Sequence, residues 1–275
     1  MTTTSIPGVT PVLDVSHLSK TYGTGDKAVH AVGDLVFSVT SGELACIVGP
    51  SGAGKTTLLK CIAGLLEPSG GTIRFRGEPV TEPPAEMALV FQEYSRSLMP
   101  WRTVHGNVAL PLAGKVRDRA ERERLVRESL EIVGLEKFAD HHPWQLSGGM
   151  QQRVAIARAL AYQPKMLVMD EPFASVDAQV RAELEDLLLR LVRETGITTL
   201  VVTHDIDEAV YLSDRVIVLS KSPTRVIENI DIDLPRERDQ LSTKALPEYV
   251  ELRARVAGLI KNAAHGVEKE ARADA

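Results

Sequence analysis

Several features that mark secreted, membrane-spanning or metal-binding proteins are missing from this sequence. No apolar run approaches the roughly 20 residues that a membrane-spanning helix needs. The chain has 2 cysteines, Cys46 and Cys61, without the spacing of metal ligands, and we expect buried thiols in a reducing compartment. Residues 1–10 contain no lysine or arginine, so we do not expect a secretory signal there.

The charge balance argues against a further class of function. The net charge is −5 at pH 7 and no block of basic residues is present, so nucleic acid is not an expected partner. Hydrophobic residues make up 44% of the chain and charged residues 25%, which is ordinary for a globular protein. We therefore expect a cytoplasmic protein with a sizeable core, unless a partner holds it at a membrane.

A glycine-rich stretch is the strongest motif in the chain. It lies between an apolar run, Leu44–Val48, and a segment with apolar residues at helical spacing. Glycines allow backbone N–H groups to converge on phosphate oxygens, and the following helix adds the positive end of its dipole. A lysine charge suits a nucleoside triphosphate, and the hydroxyl of Thr56 suits Mg²⁺. The predicted nucleotide-binding residues here are Gly49, Pro50, Ser51, Gly52, Ala53, Gly54, Lys55, Thr56 and Thr57.

Polar residues follow three apolar runs, at the ends where strands of an α/β sheet carry ligand-binding groups. Met166–Met169 precedes Asp170 and Glu171, a pair able to hold Mg²⁺ and to accept a proton from an attacking water. Gln92 and His204 follow two other runs. For Gln92 by itself a turn role is the better interpretation. A lone histidine is usually structural, but the position of His204 favours a contact with the γ-phosphate.

A second glycine-containing helix start lies in the middle of the chain. Ser147 suits an N-cap, whereas Gly148 and Gly149 disfavour a helix, which makes sense if exposed amides must approach an anion. A phosphate loop and a second start of this kind imply either two nucleotide sites or one site assembled from two copies of the chain.

The order of the remaining elements predicts an α/β protein with an insertion. Val12–Leu18 and Val32–Val39 have strand patterns before the phosphate loop. Tyr22, in the turn between them, is either a core residue or an aromatic that stacks on a base. Roughly Thr103–Leu160 is predicted to be a helical insertion, with a charged surface helix over Ala120–Val133.

Together these motifs resemble the nucleotide-binding subunit of an ABC transporter, over about Val12–Ile232. The most specific element is Leu146–Gln151, which is similar to the ABC signature and separates this family from other P-loop NTPases. The resemblance implies a P-loop NTPase (RecA-like) core with an N-terminal antiparallel β subdomain and an inserted α-helical subdomain. It also implies ATP and Mg²⁺ as cofactors.

The resemblance implies a role for each motif residue. Tyr22 would stack on adenine, and Gln92 would touch Mg²⁺ or the attacking water. Asp170 would bind Mg²⁺, Glu171 would be the general base, and His204 would be the switch histidine. Two subunits would pack head to tail, so that one signature covers the ATP held by the other subunit. The residues implied at that shared site are Ser147, Gly148, Gly149, Gln151 and the D-loop Asp177.

One departure from the family pattern lies just before the D-loop aspartate. Ser175-Val176 stands there, where the family more often has Ala-Leu.

The resemblance also implies a domain division. The predicted parts are a flexible N-terminus (1–10), an ABC ATPase domain (11–233, with the helical subdomain at about 100–160), and a C-terminal helical extension with a loose tail (234–275).

Finer motifs resemble the nitrate/sulfonate/taurine-type importer ATPases. They are Leu98–Val104, Asp170–Phe173 and Leu234–Arg236. Trp101 either packs beneath the segment after Gln92 or lies beside the coupling helix of a permease. The importer reading implies a homodimer, an integral-membrane permease subunit, through it a solute-binding protein, and a peripheral place at the cytoplasmic face of the cell membrane. The alternatives are a soluble ABC-type ATPase not coupled to transport and a P-loop kinase for a small metabolite.

Overall fold

A computed structural model describes residues 11–92 and 97–264 of the chain. These residues form two compact units, the first from residues 11–40, 45–82 and 203–264 and the second from residues 41–44, 83–92 and 97–202. The predicted flexible N-terminus, 1–10, and the predicted loose tail, Glu268–Ala275, lie outside the described residues. The predicted domain boundaries therefore stay a prediction.

The described residues contain both strands and helices, and the segments for which the sequence predicted a strand or helix take their places among them. The strands are β1 (Leu13–Tyr22), β2 (Val29–Val39), β3 (Leu44–Val48), β4 (Gly70–Phe75), β5 (Glu78–Pro79), β6 (Met87–Val90), β7 (Met166–Asp170), β8 (Thr198–Thr203), β9 (Arg215–Leu219) and β10 (Thr224–Asp231). The helices are α1 (Lys55–Ile62), α2 (Val104–Ala109), α3 (Arg119–Ile132), α4 (Gly148–Ala161), α5 (Ala178–Thr195), α6 (Ile206–Leu212) and α7 (Pro247–Ala264).

The first unit is built on a mixed sheet with the strand order β5-β4-β1-β2-β10-β9-β3. β1 is antiparallel to β2 and β4, whereas β3 is parallel to β9. β1 continues four residues past the predicted end because Lys20, Thr21 and Tyr22 pair with β2. Tyr22 therefore ends a strand and does not lie in a turn as predicted.

The second unit contains the parallel strands β6, β7 and β8 and the helices α2 to α5. β7 and β8 are buried along their whole length, which explains why the apolar residues Met166–Met169 and Leu200–Val202 follow one another without alternation. The predicted helical insertion is confirmed by α2, α3 and α4. On α3, Arg124 forms exposed ion pairs with Glu121 and Glu128, as expected of a solvated helix face.

Two further sequence expectations concern the thiols and the apolar runs. Cys46 in β3 is 0% exposed and Cys61 in α1 is 1% exposed, and both are free thiols, so the predicted buried thiols are confirmed. Across residues 11–92 and 97–264, no helix combines the length and the apolar character that crossing a membrane requires.

Candidate functional site

The phosphate loop connects β3 to α1 in the first unit, as the sequence predicted. Gly52 and Gly54 have φ values of 76° and 73°, in the left-handed region that favours glycine. A Cβ on Gly54 would also lie 2.6 Å from the Ala31 carbonyl oxygen of β2. Gly54 is therefore required both for its backbone conformation and for the close approach of β2.

The side chain of Lys55 turns back towards the loop that precedes it. Its Nζ donates to the carbonyl oxygen of Gly49 at 2.9 Å and to that of Pro50 at 3.2 Å, and the residue is 8% exposed. Thr56, the next residue, is exposed, and Thr57 is half-buried. The loop therefore combines a lysine charge with the first N–H groups of α1, an arrangement suited to phosphate.

Tyr22 lies beside the first turn of α1. Its hydroxyl is 3.3 Å from the Thr57 hydroxyl oxygen, and its ring centroid is 5.5 Å from Lys20 Nζ. The residue is 42% exposed, so the alternative that Tyr22 is a core residue is wrong. The structure brings this aromatic to the phosphate loop, and its stacking on a base stays a prediction.

Thr224, at the start of β10, is a loop contact that the sequence reasoning missed. Its hydroxyl lies 3.0 Å from the Ala31 carbonyl oxygen and also within hydrogen-bond distance of the Ala53 carbonyl oxygen. The residue is 0% exposed. Thr224 thus joins β2, β10 and the phosphate loop, and no local pattern in the sequence marks it for this position.

The two carboxylates follow the buried strand β7 in the second unit. Asp170 is 7% exposed, and Glu171 has a φ of 45°, which a glutamate rarely adopts. The Glu171 N–H donates to the Val202 carbonyl oxygen of β8 at 2.7 Å, and this bond helps to hold the unusual backbone in place. Strained backbone of this kind clusters at functional sites.

Gln92 and Glu171 meet at the carboxyl ends of neighbouring strands. Val90 of β6 pairs with Met169 of β7, so the residues two positions further along also lie side by side. Gln92 Nε2 donates to Glu171 Oε2 at 2.9 Å. The prediction that these side chains lie at one sheet edge is confirmed, and Gln92 does more than fill a turn.

The signature helix start also lies in the second unit. Ser147 caps α4, and its hydroxyl oxygen accepts the Met150 N–H at 3.3 Å, so the predicted N-cap is confirmed. Ser147 and Gly148 are exposed. Gly149 is buried, and a Cβ there would lie 2.3 Å from Val180 Cγ1 of α5. Gly149 is therefore required by close packing against α5 of the same chain. The prediction, which explained both glycines by the approach of an anion, did not include this reason.

Gln151 and Asp177 make contacts that the sequence reasoning did not foresee. Gln151 Nε2 donates to the carbonyl oxygens of Pro143 at 3.0 Å and Leu146 at 3.2 Å, and so holds the loop before α4. Asp177 caps α5, and its Oδ1 accepts the Gln179 and Val180 N–H groups. An aspartate just before a helical pattern is a recognisable N-cap signal, which could have identified this role.

His204 follows β8 and precedes α6 in the first unit. Its side chain is exposed. The neighbouring backbone is fixed on both sides, since Thr203 Oγ1 accepts the Asp205 N–H at 3.0 Å and Asp205 Oδ1 accepts the Glu208 N–H at 3.1 Å. The predicted position on the loop before a helix is confirmed, and the predicted γ-phosphate contact stays a prediction.

Comparison with known proteins identifies the family. The family model described as "ABC transporter" matches residues 32–174. An uncharacterized ABC transporter ATP-binding protein, MJ0412 of Methanocaldococcus jannaschii, is 45% identical over 91% of this chain and 91% of its own length. This chain belongs to the ABC transporter ATP-binding family. The P-loop NTPase fold that the resemblance implied is thereby confirmed.

Two further relatives and one solved structure of ABC proteins are also similar to this chain. The nitrate import ATP-binding protein NrtC of Synechococcus elongatus is 44% identical over 88% of this chain, which spans 37% of that relative's length. The bicarbonate transport protein CmpD of the same species is 39% identical, with 90% of each chain covered. The solved ATP-binding cassette MJ0796, a dimer bound to ADP and Pi, is 35% identical with a TM-score of 0.70, covering 80% of this chain and 98% of that one.

Proposed function

We propose that this chain is the ATP-hydrolysing subunit of an ABC importer that energises the uptake of a small solute, such as nitrate, a sulfonate or taurine. The observation that supports hydrolysis most directly is the hydrogen bond between Gln92 and Glu171, at the ends of β6 and β7, in a chain that also has the phosphate loop and the signature helix. Relatives of similar identity are ATP-binding proteins of nitrate import and of bicarbonate transport, so this subunit does not by itself decide the solute.

The proposed reaction is phosphoryl transfer from ATP to water. The loop N–H groups and Lys55 bind the phosphates, and Tyr22 stacks on the adenine. Glu171 takes the proton of the attacking water, and His204 contacts the γ-phosphate, where negative charge develops. Catalysis then consists of positioning and charge stabilisation, without a covalent enzyme intermediate.

The residues proposed for Mg²⁺ offer the oxygen atoms that this ion prefers. They are the exposed hydroxyl of Thr56, the carboxylate of Asp170, and the amide of Gln92, whose Nε2 donates to Glu171. That bond does not use the Gln92 amide oxygen, and each of these oxygens is of the kind that a hard cation takes. When bound, Mg²⁺ offsets the negative charge of the phosphates.

Two copies of the chain would share each ATP. We infer a head-to-tail homodimer in which the α4 start of one copy covers the ATP on the phosphate loop of the other. The exposed positions of Ser147 and Gly148 support this, because their backbone remains accessible while the hydroxyl caps α4. Gly149, Gln151 and Asp177 shape that surface through contacts within their own chain. The relative MJ0796 has been solved as a dimer.

The proposed partners are an integral-membrane permease and, through it, a solute-binding protein. Trp101 is 72% exposed, and residues 93–96, the segment after Gln92, lie outside the described residues, so the packing of Trp101 beneath that segment stays a prediction. An exposed tryptophan is typical of protein interfaces, and it supports a permease contact at this place. The proposed location is the cytoplasmic face of the cell membrane.

Two assays test the hydrolytic part of this proposal. Purified chain should release phosphate from ATP without any added phosphoryl acceptor, whereas a metabolite kinase would not. In sedimentation, the Glu171→Gln variant should dimerise when ATP is added, because it binds ATP and does not consume it. Lys55→Ala provides the matched control and should remain unchanged by ATP. A chain that hydrolyses ATP but never dimerises would contradict the shared site.

A further inference from the structure

A C-terminal extension, residues 234–264, contacts α6, and the proposed reaction gives this extension no role. The contacts lie within the first unit and involve both ends of α6. α6 begins two residues after His204. The extension is therefore placed to influence the loop that carries this histidine.

At the start of α6, two side chains of α7 converge on Asp207. Tyr249 Oη lies 3.1 Å from the Asp207 carbonyl oxygen and 3.2 Å from its Oδ1. Arg253 Nε donates to the same Oδ1 at 2.6 Å. Tyr249 is only 2% exposed, and its hydroxyl bonds to Asp207 are partly buried, so leaving this hydroxyl unpaired is costly.

At the end of α6, the extension satisfies main-chain carbonyls. Arg238 Nη1 donates to the Tyr211 carbonyl oxygen at 2.6 Å and to that of Ser213 at 3.0 Å. The last carbonyls of a helix have no partner within the helix, so such a donor stabilises the terminus. Lys244 Nζ also lies 4.7 Å from the ring centroid of Tyr211. α6 is thus held at its start and at its end by the same segment.

The length of α6 makes these contacts consequential. It has 7 residues, and helices shorter than about 12 residues are marginal by themselves, so packing must set its position. Asp205 caps α6 and is bonded in turn to Thr203, which leaves His204 on a short backbone link between β8 and the helix. A shift of α6 would therefore move His204.

We propose that Tyr249 and Arg253 are positioning residues that act through Asp207 to hold α6, and so keep His204 where it contacts the γ-phosphate. The proposal rests on the proposed ATPase function and on the part that His204 has in it. Neither α7 residue needs to touch the nucleotide. The extension would then be a structural support for the hydrolytic site.

Hydrogen exchange tests the mechanical part of the proposal without relying on activity. Tyr249→Phe keeps the ring and removes the hydroxyl, and Arg253→Met keeps the side-chain stem and removes the charge. In full-length protein without nucleotide, amides in residues 203–213 should exchange roughly fivefold faster in each variant, as expected for the loss of one hydrogen bond. Arg255→Met is the matched control, since Arg255 pairs with Glu228 of β10, and it should exchange like wild type in this segment. Unchanged exchange in both test variants would overturn the proposal.

A double-mutant comparison tests the link to His204. Each α7 variant should lower kcat for ATP hydrolysis roughly fivefold with an unchanged Kd for ATP, and should cause no further loss in a His204→Ala background. The same fold loss in both backgrounds would overturn the positioning role. A His204→Ala protein with full activity would instead overturn the part given to His204 in the proposed function, and the positioning role with it. The exchange rates would then still report whether the extension holds α6.

Discussion

Glu171 lies directly after the buried strand β7, with a φ of 45° and its carboxylate accepting from Gln92. A non-glycine residue in this region costs of order 1–3 kcal/mol and persists only where its surroundings hold it. The bond from the Glu171 N–H to Val202 is one such restraint. Because the side chain direction follows from the backbone, the strain and the proposed role of Glu171 as general base belong together.

Replacing this carboxylate tests its proposed role. Glu171→Gln should lower kcat for ATP hydrolysis by about 100-fold or more, since an amide accepts no proton from water, while the Kd for ATP stays near the wild-type value. Phosphate release and equilibrium nucleotide binding measure the two quantities. Glu194→Gln, an exposed change near the end of α5, is the control and should keep full activity. Hydrolysis by Glu171→Gln at the wild-type rate would remove Glu171 from this role.

The two cysteine thiols give a second test at the level of single residues. Burial raises the pKa of Cys46, with Glu208 adding to the rise, and burial also raises the pKa of Cys61. A raised pKa means less thiolate at any given pH, and the thiolate is the reactive form. At pH 8, folded protein should therefore resist iodoacetamide at both positions, while protein unfolded in guanidinium should react at both. Mass spectrometry that finds either thiol labelled in the folded protein would contradict the buried environment.

Among the elements, α5 depends on Asp177 for its start. The Asp177 carboxylate accepts two N–H groups of the first turn, and the loss of such a cap costs about 1 kcal/mol. Asp177→Ala should therefore lower the free energy of unfolding by about 1 kcal/mol, whereas Asp177→Asn should keep most of it because asparagine also caps. Urea denaturation measures both. Equal stability of the alanine variant and wild type would show that the cap does not stabilise α5.

The order of elements could be predicted from the sequence because its signals are local. Apolar runs, helical spacing and glycines lie next to the features that they specify, which is why the phosphate loop, β7 and the start of α4 were predicted correctly. Contacts between distant segments have no such signal. The hydroxyl of Thr224 on the phosphate loop and the packing of Val180 on Gly149 depend on which segments meet in the fold.

The solvent exposure of individual aromatic side chains could not be predicted from the sequence either. Tyr22 and Trp101 could each have packed in a core, and only the structure shows them 42% and 72% exposed. The presence of an aromatic residue in the sequence does not show whether it lies in the core or at an interface, because aromatic side chains bury apolar area in both places. The local pattern thus identified these residues as candidates, and the fold shows that both side chains are accessible.

For the molecule as a whole, membership of the ABC transporter family leaves open what the ATPase drives. A nitrate import ATP-binding protein and a bicarbonate transport ATP-binding protein are 44% and 39% identical to this chain. The roles proposed for residues on the phosphate loop, on β7 and at the start of α4 all concern ATP, so these residues do not distinguish one solute from another. The permease partner is therefore the part of the proposal that most needs a direct test.

Co-purification from native membranes provides that test. Tagged Glu171→Gln protein would be added to membranes of the source cell with ATP, which should hold the closed dimer, and Lys55→Ala with ATP would serve as the control. The account predicts that a polytopic membrane protein is recovered with Glu171→Gln, and the identity of that protein would indicate the solute. Recovery of soluble partners alone would contradict the importer proposal and favour a soluble ABC-type ATPase.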